Sequence, residues 1–200
     1  MPLFQLPRRE FAGFIFDCDG TLADSMQVHY EAWCAAFHDF HPGLSFPRDL
    51  YYSWAGLSTR GVVERVNAIH GLSLDPEQIA TRKEDLYLEK LPAVQPIPEV
   101  ATFARTIART HPVSVATGAW RRVAGETLKW VGLGDVFSII ITPEDVVRGK
   151  PAPDMFLLAA ERMGVAPQDC LVFEDGQPGI EGARAAGMEV VVIPTPWDGA

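Results

Sequence analysis

Phe11 to Phe16 reads FAGFIF, a short apolar run rich in aromatic and branched residues that stops abruptly at Asp17. Runs of the same kind recur late in the chain, at Val113 to Ala116, Val136 to Ile141, Leu171 to Phe173 and Val190 to Ile193. Continuous apolar character, in place of alternation, marks strands covered on both faces, as in a parallel sheet. Between the runs the spacing turns helical. Val100, Phe103 and Ile107 recur at helical intervals until His111-Pro112 ends the segment. Pro153-Asp154 opens another helix, with Met155, Leu158 and Met163 roughly on one side and Gly164 closing it. Gly179 to Gly187 is a short helix of small residues, suited to close packing on a sheet. Strands alternating with helices of this length predict an α/β fold, a Rossmann-like parallel sheet with helices on both faces.

The stretch from Asp24 to Leu91 breaks this pattern, with helical periodicity and no convincing strand. Trp33, Phe37 and Phe40 mark a first helix, Val62, Val66 and Ile69 a second, and Ile79 to Leu91 a third, rich in charge. Pro92, Pro96 and Pro98 punctuate the return to the α/β pattern. The reading is an α/β core built from residues 1–23 and 93–200, with an α-helical cap, residues 24–92, inserted after the first strand. A chain of 200 residues, 48% hydrophobic, is long enough to bury a core and carry such an insertion.

Charge narrows the partners. A formal net charge of -9 argues against nucleic acid, which needs a basic face. A small anion is still compatible, because local donors and a metal reverse the field inside one pocket. Cys18, Cys34 and Cys170 are widely separated and give neither a disulfide framework nor a zinc site. Neither a signal-like apolar run nor a membrane span is evident, so a cytoplasmic location without a membrane partner is expected. Nothing fixes the oligomeric state.

The candidate chemistry sits where the apolar runs end. Asp17-Cys18-Asp19-Gly20-Thr21 follows the first, and two carboxylates at i and i+2 divide naturally into one that attacks and one that moves a proton. Alone, this motif also reads as an acidic turn or a calcium loop, but EF-hand spacing is absent and the catalytic reading is favoured. Glu174-Asp175-Gly176 follows a second run in the same way. In a parallel sheet both strand ends open on one edge, so the two acidic pairs converge. Like charges about 4 Å apart cost about 4 kcal/mol at an effective dielectric near 20. Such a cluster calls for a cation, and oxygen ligands suit Mg2+. Lys150, in Gly149-Lys150-Pro151, is placed to neutralise a carboxylate and grip phosphate, although a loop lysine is more often merely solvated. Thr117-Gly118 offers a hydroxyl and backbone N–H groups at a strand end, or only a turn.

Taken in order, FIFDCDGTLADS around Asp17, ATGA around Thr117, GKPAPDMF around Lys150 and VFEDGQPGIEGARAAGM around Asp175 resemble the motifs of the haloacid dehalogenase superfamily, whose members mostly hydrolyse phosphate esters. The last two stretches look most like the branch of β-phosphoglucomutase and small sugar-phosphate phosphatases. The resemblance implies Asp17 as a nucleophile that forms an aspartyl phosphate, and Asp19 as general acid and then base. It implies magnesium held by Asp17, the main-chain carbonyl of Asp19 and Asp175, with Glu174 in support. Thr117, Gly118 and Lys150 would bind the transferring phosphoryl group of a small phosphorylated metabolite.

Within the superfamily, Asp19 argues against dehalogenases, which lack the second aspartate. Lys83 and Lys90 lie late in the third helix and do not match the imine-forming lysine of phosphonate-cleaving members. The mutase pattern has a lysine before the cap-loop glycine and an arginine three residues after it; here Ala55 precedes Gly56 and the arginine is displaced to Arg60. Trp120 and Arg121 stand where the mutase carries Lys-Asn, and Thr21 where it often has valine. A phosphatase is therefore favoured over a mutase, and over a member that binds phosphorylated ligands without turnover. His29, Ser58, Thr59 and Arg60 are the cap candidates for substrate contact. Trp33 and Trp54 are expected to serve helix packing, and Cys18 to point into the core.

Overall fold

The computed structural model describes residues 3–194, so the ends of the expected core range, 1–2 and 195–200, lie outside it. Five strands, β1 (Gly13–Phe16), β4 (Val113–Ala116), β5 (Ile140–Ile141), β6 (Cys170–Glu174) and β7 (Glu189–Val192), form one sheet in the order β5-β4-β1-β6-β7. Every pairing is parallel, with Phe16 opposite Val115 on one side and Phe173 on the other. β1 is central and wholly buried, which explains its unbroken apolar sequence.

Its side chains alternate between two layers. Phe14 and Phe16 face α5 (Pro98–Ile107) and α6 (Arg121–Trp130), packing with Val100, Ala104, Val123 and Leu128. Ile15 faces the opposite layer, where α7 (Asp154–Met163) supplies Met155, Phe156 and Ala159 and α8 (Gln177–Ala185) supplies Ala183. Phe16 and Phe173 stack across adjacent strands, ring centroids 4.8 Å apart. Cys18 is buried on the Phe16 side, and burial pushes its thiol well up, so it is a core residue.

The expected strand over Val136 to Ile141 shrinks to Ile140–Ile141. Val136 closes a turn on the Leu133 carbonyl, and Phe137 fills the core from a loop. That part of the run is apolar because it plugs the core beside α6. The helix α6 itself was not anticipated.

Between β1 and β4 come α1 (Met26–Phe40), α2 (Arg48–Ser53), α3 (Thr59–His70) and α4 (Pro76–Glu89). They share a second apolar cluster around Trp33, Phe37, Phe46, Tyr51, Trp54 and Val63. Phe40 and Ile69, expected on packed faces, are exposed, since each sits in the last turn of its helix, beyond that cluster. α4 begins ahead of the expected Ile79 because Asp75 caps it, accepting from the N–H groups of Glu77 and Gln78. The two crossings between helices and sheet lie side by side: β2 (Ala23–Asp24) pairs antiparallel with β3 (Gln95–Pro96). The far end of α4 belongs to the sheet layer, where Tyr87 is fully buried and its hydroxyl lies 2.9 Å from Thr127 Oγ1. Among the described residues, no helix is long and apolar enough to cross a membrane.

Candidate active site

The ladder of β1 continues one residue past the strand, with the Asp17 N–H donating to the Phe173 carbonyl at 2.9 Å. The chain then turns sharply, both Leu22 and Ala23 donating to the Cys18 carbonyl. Gly20 makes this turn possible: its φ is 91°, and a Cβ there would fall 2.1 Å from Asp175 Oδ2. The loop after β1 therefore passes directly over the loop after β6. Thr21 ties them, donating to Asp175 Oδ1 at 3.0 Å.

Lys150 reaches this junction from the loop before α7. Its Nζ donates to Asp17 Oδ1 at 2.6 Å and to Glu174 Oε2 at 2.7 Å, all three side chains being buried. Glu174 Oε1 accepts from the Gly176 N–H. Oxygens of Asp17, Glu174 and Asp175 all lie within 4.8 Å of one another. Burial first, then the neighbouring Glu174, pushes Asp17 well above the usual carboxylate range and raises Asp175 to about 8. Burial opposes the charge on Lys150, yet Asp17 and Glu174 outweigh it and hold the ammonium more firmly protonated. One buried cation thus faces three carboxylates. The shortfall in positive charge and the hard oxygen donors suit magnesium. Both Glu174 oxygens are engaged by Lys150 and Gly176, so among the described residues Asp17 and Asp175 have the freer oxygens.

Asp19 turns the other way. Its Oδ1 accepts from Ser25 Oγ at 2.6 Å and lies 2.9 Å from His29 Nε2. Lys83 Nζ lies 2.8 Å from His29 Nδ1; an ammonium only donates, so Nδ1 accepts and Nε2 carries the proton given to Asp19. Tyr87 stacks on the imidazole at 3.8 Å, only 3° from parallel. Burial pushes Asp19 up, but the hydrogen bonds from His29 and Ser25 and the nearby Lys83 charge outweigh it and hold it below the usual carboxylate range. The resting residue is a carboxylate.

Asp17, Asp19, His29, Thr59, Lys83, Thr117 and Gly118 line one cavity, covered by the Ala55–Leu57 loop between α2 and α3. That loop presses on the sheet edge: a Cβ on Gly118 would lie 2.8 Å from the Leu57 carbonyl oxygen, and one on Gly176 2.6 Å from that of Ala55. The free space is about 50 Å³, room for a handful of waters.

Comparison with known proteins agrees with this arrangement. The profile of the hydrolases described as haloacid dehalogenase-like matches residues 11–187. The chain belongs to that family. The fructose-1-phosphate phosphatase YqaB of Escherichia coli is 36% identical to it over 184 residues, covering 92% of this chain and 96% of that protein. The β-phosphoglucomutase of Bacillus subtilis is 27% identical over 187 residues, covering 90% and 81%. A solved hydrolase from Pseudomonas syringae superposes with a TM-score of 0.82 at 26% identity, covering 90% and 83%. With sugar-phosphate phosphatases among its relatives, this haloacid dehalogenase-like hydrolase is an enzyme of the phosphatase type.

Of the cap candidates in this hydrolase, His29 and Thr59 reach the cavity and two do not. Ser58 caps α3 by accepting from the Gly61 N–H, and Arg60 is exposed and paired with Glu64 at 2.9 Å. Trp33 and Trp54 serve both roles, packing in the helical cluster and lining the cavity. Lys83 is the residue that sequence reasoning undervalued, setting it aside as late in the third helix when it forms part of the cavity wall. Its signal was present, since Ile79, Lys83 and Tyr87 occupy one stripe of α4 and all three are buried.

Proposed function

We propose that this enzyme hydrolyses a sugar monophosphate through an aspartyl-phosphate intermediate on Asp17. The observation that carries the reading is the buried Asp17–Lys150–Glu174 group beneath a cavity whose opposite wall presents Asp19 and His29. Magnesium would be held by Asp17, Asp175 and the main-chain carbonyl of Asp19, with Glu174 in support, and would supply positive charge to the phosphoryl oxygens. Asp17 attacks phosphorus while Lys150, the Thr117 hydroxyl and the Gly118 N–H hold the transferring oxygens. Asp19 swings from Ser25 and His29 toward the substrate, delivers a proton to the leaving oxygen, then takes one from the water that cleaves the intermediate. Because Asp19 rests as a carboxylate, it takes that proton from solvent water while the cap is open, before the bound substrate seals the site. Residues 24–92 act as a cap that opens to admit substrate, since the closed cavity is too small for a sugar phosphate. A cytoplasmic location fits substrates of this class.

Two arginines speak against the mutase. A mutase must grip a second phosphate, yet Arg60 faces solvent, and Arg121 is tied to Asp145 and the Ile140 carbonyl. Neither lines the cavity. Fructose 1-phosphate, the substrate named for the Escherichia coli relative, is the first compound to test. Magnesium-dependent release of phosphate from it, or from another sugar monophosphate, is expected. Rapid conversion of β-glucose 1-phosphate to glucose 6-phosphate with trace bisphosphate, in place of hydrolysis, would overturn the assignment.

A further inference from the structure

The wall opposite the phosphate-binding end receives the leaving group. It combines apolar Trp33, Trp54 and Val62 with polar His29, Thr59 and Lys83. Lys83 is the one cation among these, and taken alone it would draw a second anionic group into the pocket. It does not stand alone. Glu84, itself 0% exposed, lies behind it on α4, and its Oε2 accepts from Lys83 Nζ at 3.1 Å. Glu84 Oε1 accepts from the Thr59 hydroxyl at 2.6 Å, so both carboxylate oxygens are used and the group is pinned from two helices. Of the three N–H bonds on Lys83, one goes to His29 and one to Glu84. The third is left to meet a substrate hydroxyl.

We infer that Glu84 is a specificity-determining residue: by neutralising Lys83 inside the closed cavity, it sets the leaving-group end for an uncharged polyol and against a second phosphate. This rests on the phosphatase reading above and deepens it. The charges at this end are Lys83 and Glu84, which cancel, and Asp19, which adds a negative charge until it takes up its proton. With no uncompensated cation at this end, the pocket gives a second dianion nothing to bind and still accepts hydroxyl groups. Replacing Glu84 by an isosteric amide keeps one carbonyl oxygen to accept from Lys83 and turns an NH2 donor toward the Thr59 hydroxyl oxygen, but removes the negative charge, leaving the Lys83 ammonium uncompensated.

The test compares kcat/KM for fructose 1-phosphate and fructose 1,6-bisphosphate, scoring release of the 1-phosphate, in the native enzyme with magnesium and in Glu84→Gln. The native enzyme is expected to favour the monophosphate by at least about a hundredfold. Glu84→Gln is expected to shrink that ratio at least about tenfold, mainly through KM for the bisphosphate, even as its activity on the monophosphate falls. Thr59→Val, which keeps the charge, should leave the ratio within about threefold of native. A native enzyme that takes both compounds equally well overturns the inference without need of any variant. So does a folded Glu84→Gln with an unchanged ratio. Absence of hydrolysis of any sugar phosphate by the native enzyme would instead defeat the phosphatase reading itself.

Discussion

Asp17, Lys150 and Glu174 illustrate how much chemistry three side chains hold when water is removed. Asp17→Asn keeps the size and an acceptor for Lys150 but loses the charge on the oxygen proposed to attack phosphorus. Turnover is expected to drop at least about a thousandfold with the circular dichroism spectrum unchanged; steady-state phosphate release near the native rate would remove Asp17 from the nucleophile role. Asp175 gives a prediction in pH. Its folded pKa, about 8, lies above the ordinary carboxylate value, so without metal the folded state holds a proton that the unfolded chain releases. Stability of the metal-free protein therefore falls as pH rises from about 4 to about 8. Magnesium, which competes with that proton, should bind more tightly as pH rises and reverse the loss. Melting temperatures across this range, in chelator and in magnesium, check both signs. The sequence revealed Asp17, Asp19, Thr117, Lys150 and Asp175 because each directly follows a strand or sits in a loop at the same sheet edge. Lys83 and Glu84 stayed hidden because their meaning depends on α4 packing against α1 and α3, a pairing that no local spacing encodes.

Among the elements, β1 is the keystone, bonded to β4 and β6 on its two sides. Phe16 is 0% exposed and stacked on Phe173, directly before Asp17. Phe16→Ala should cost about 3–5 kcal/mol in urea unfolding and disturb Asp17 as well, because the cavity opens beneath it. A cost below about 1 kcal/mol would show that the surrounding rings close the gap. The strands were legible because a buried parallel strand must be apolar throughout. The run from Val136 misled because a core plug has the same composition as a strand. α6 escaped notice because its buried face, Val123, Ala124, Thr127 and Leu128, holds only two large apolar side chains.

For the whole molecule, the proposed function makes closure of the cap the event on which chemistry depends. Gly176 has φ -88° and ψ 135°, a conformation open to alanine, and the close contacts of an added Cβ are all with Ala55 of the covering loop. Gly176→Ala therefore tests closure with little disturbance of the sheet. The expected outcome is a fall of about tenfold or more in kcat/KM, with the melting temperature within a few degrees of native. An unaltered kcat/KM would show that closure tolerates a gap at this point. The helical insertion itself was legible as a change of period along the chain. That the covering loop rests on Gly118 and Gly176 was not, because the sequence carries no record of which backbones approach each other across the fold.

The pairing of Gly13 with Cys170 also sets a timetable for birth of the protein. On the ribosome β1 emerges first, yet its β6 neighbour is made about 150 residues later, roughly 8–30 s at ~5–20 residues per second. The helices that follow β1 make local contacts and fold while they wait. Until β4 emerges this buried apolar strand lacks a partner on either side, and until β6 emerges it lacks one, so it is there, before any substrate is met, that the chain most needs a chaperone's shelter.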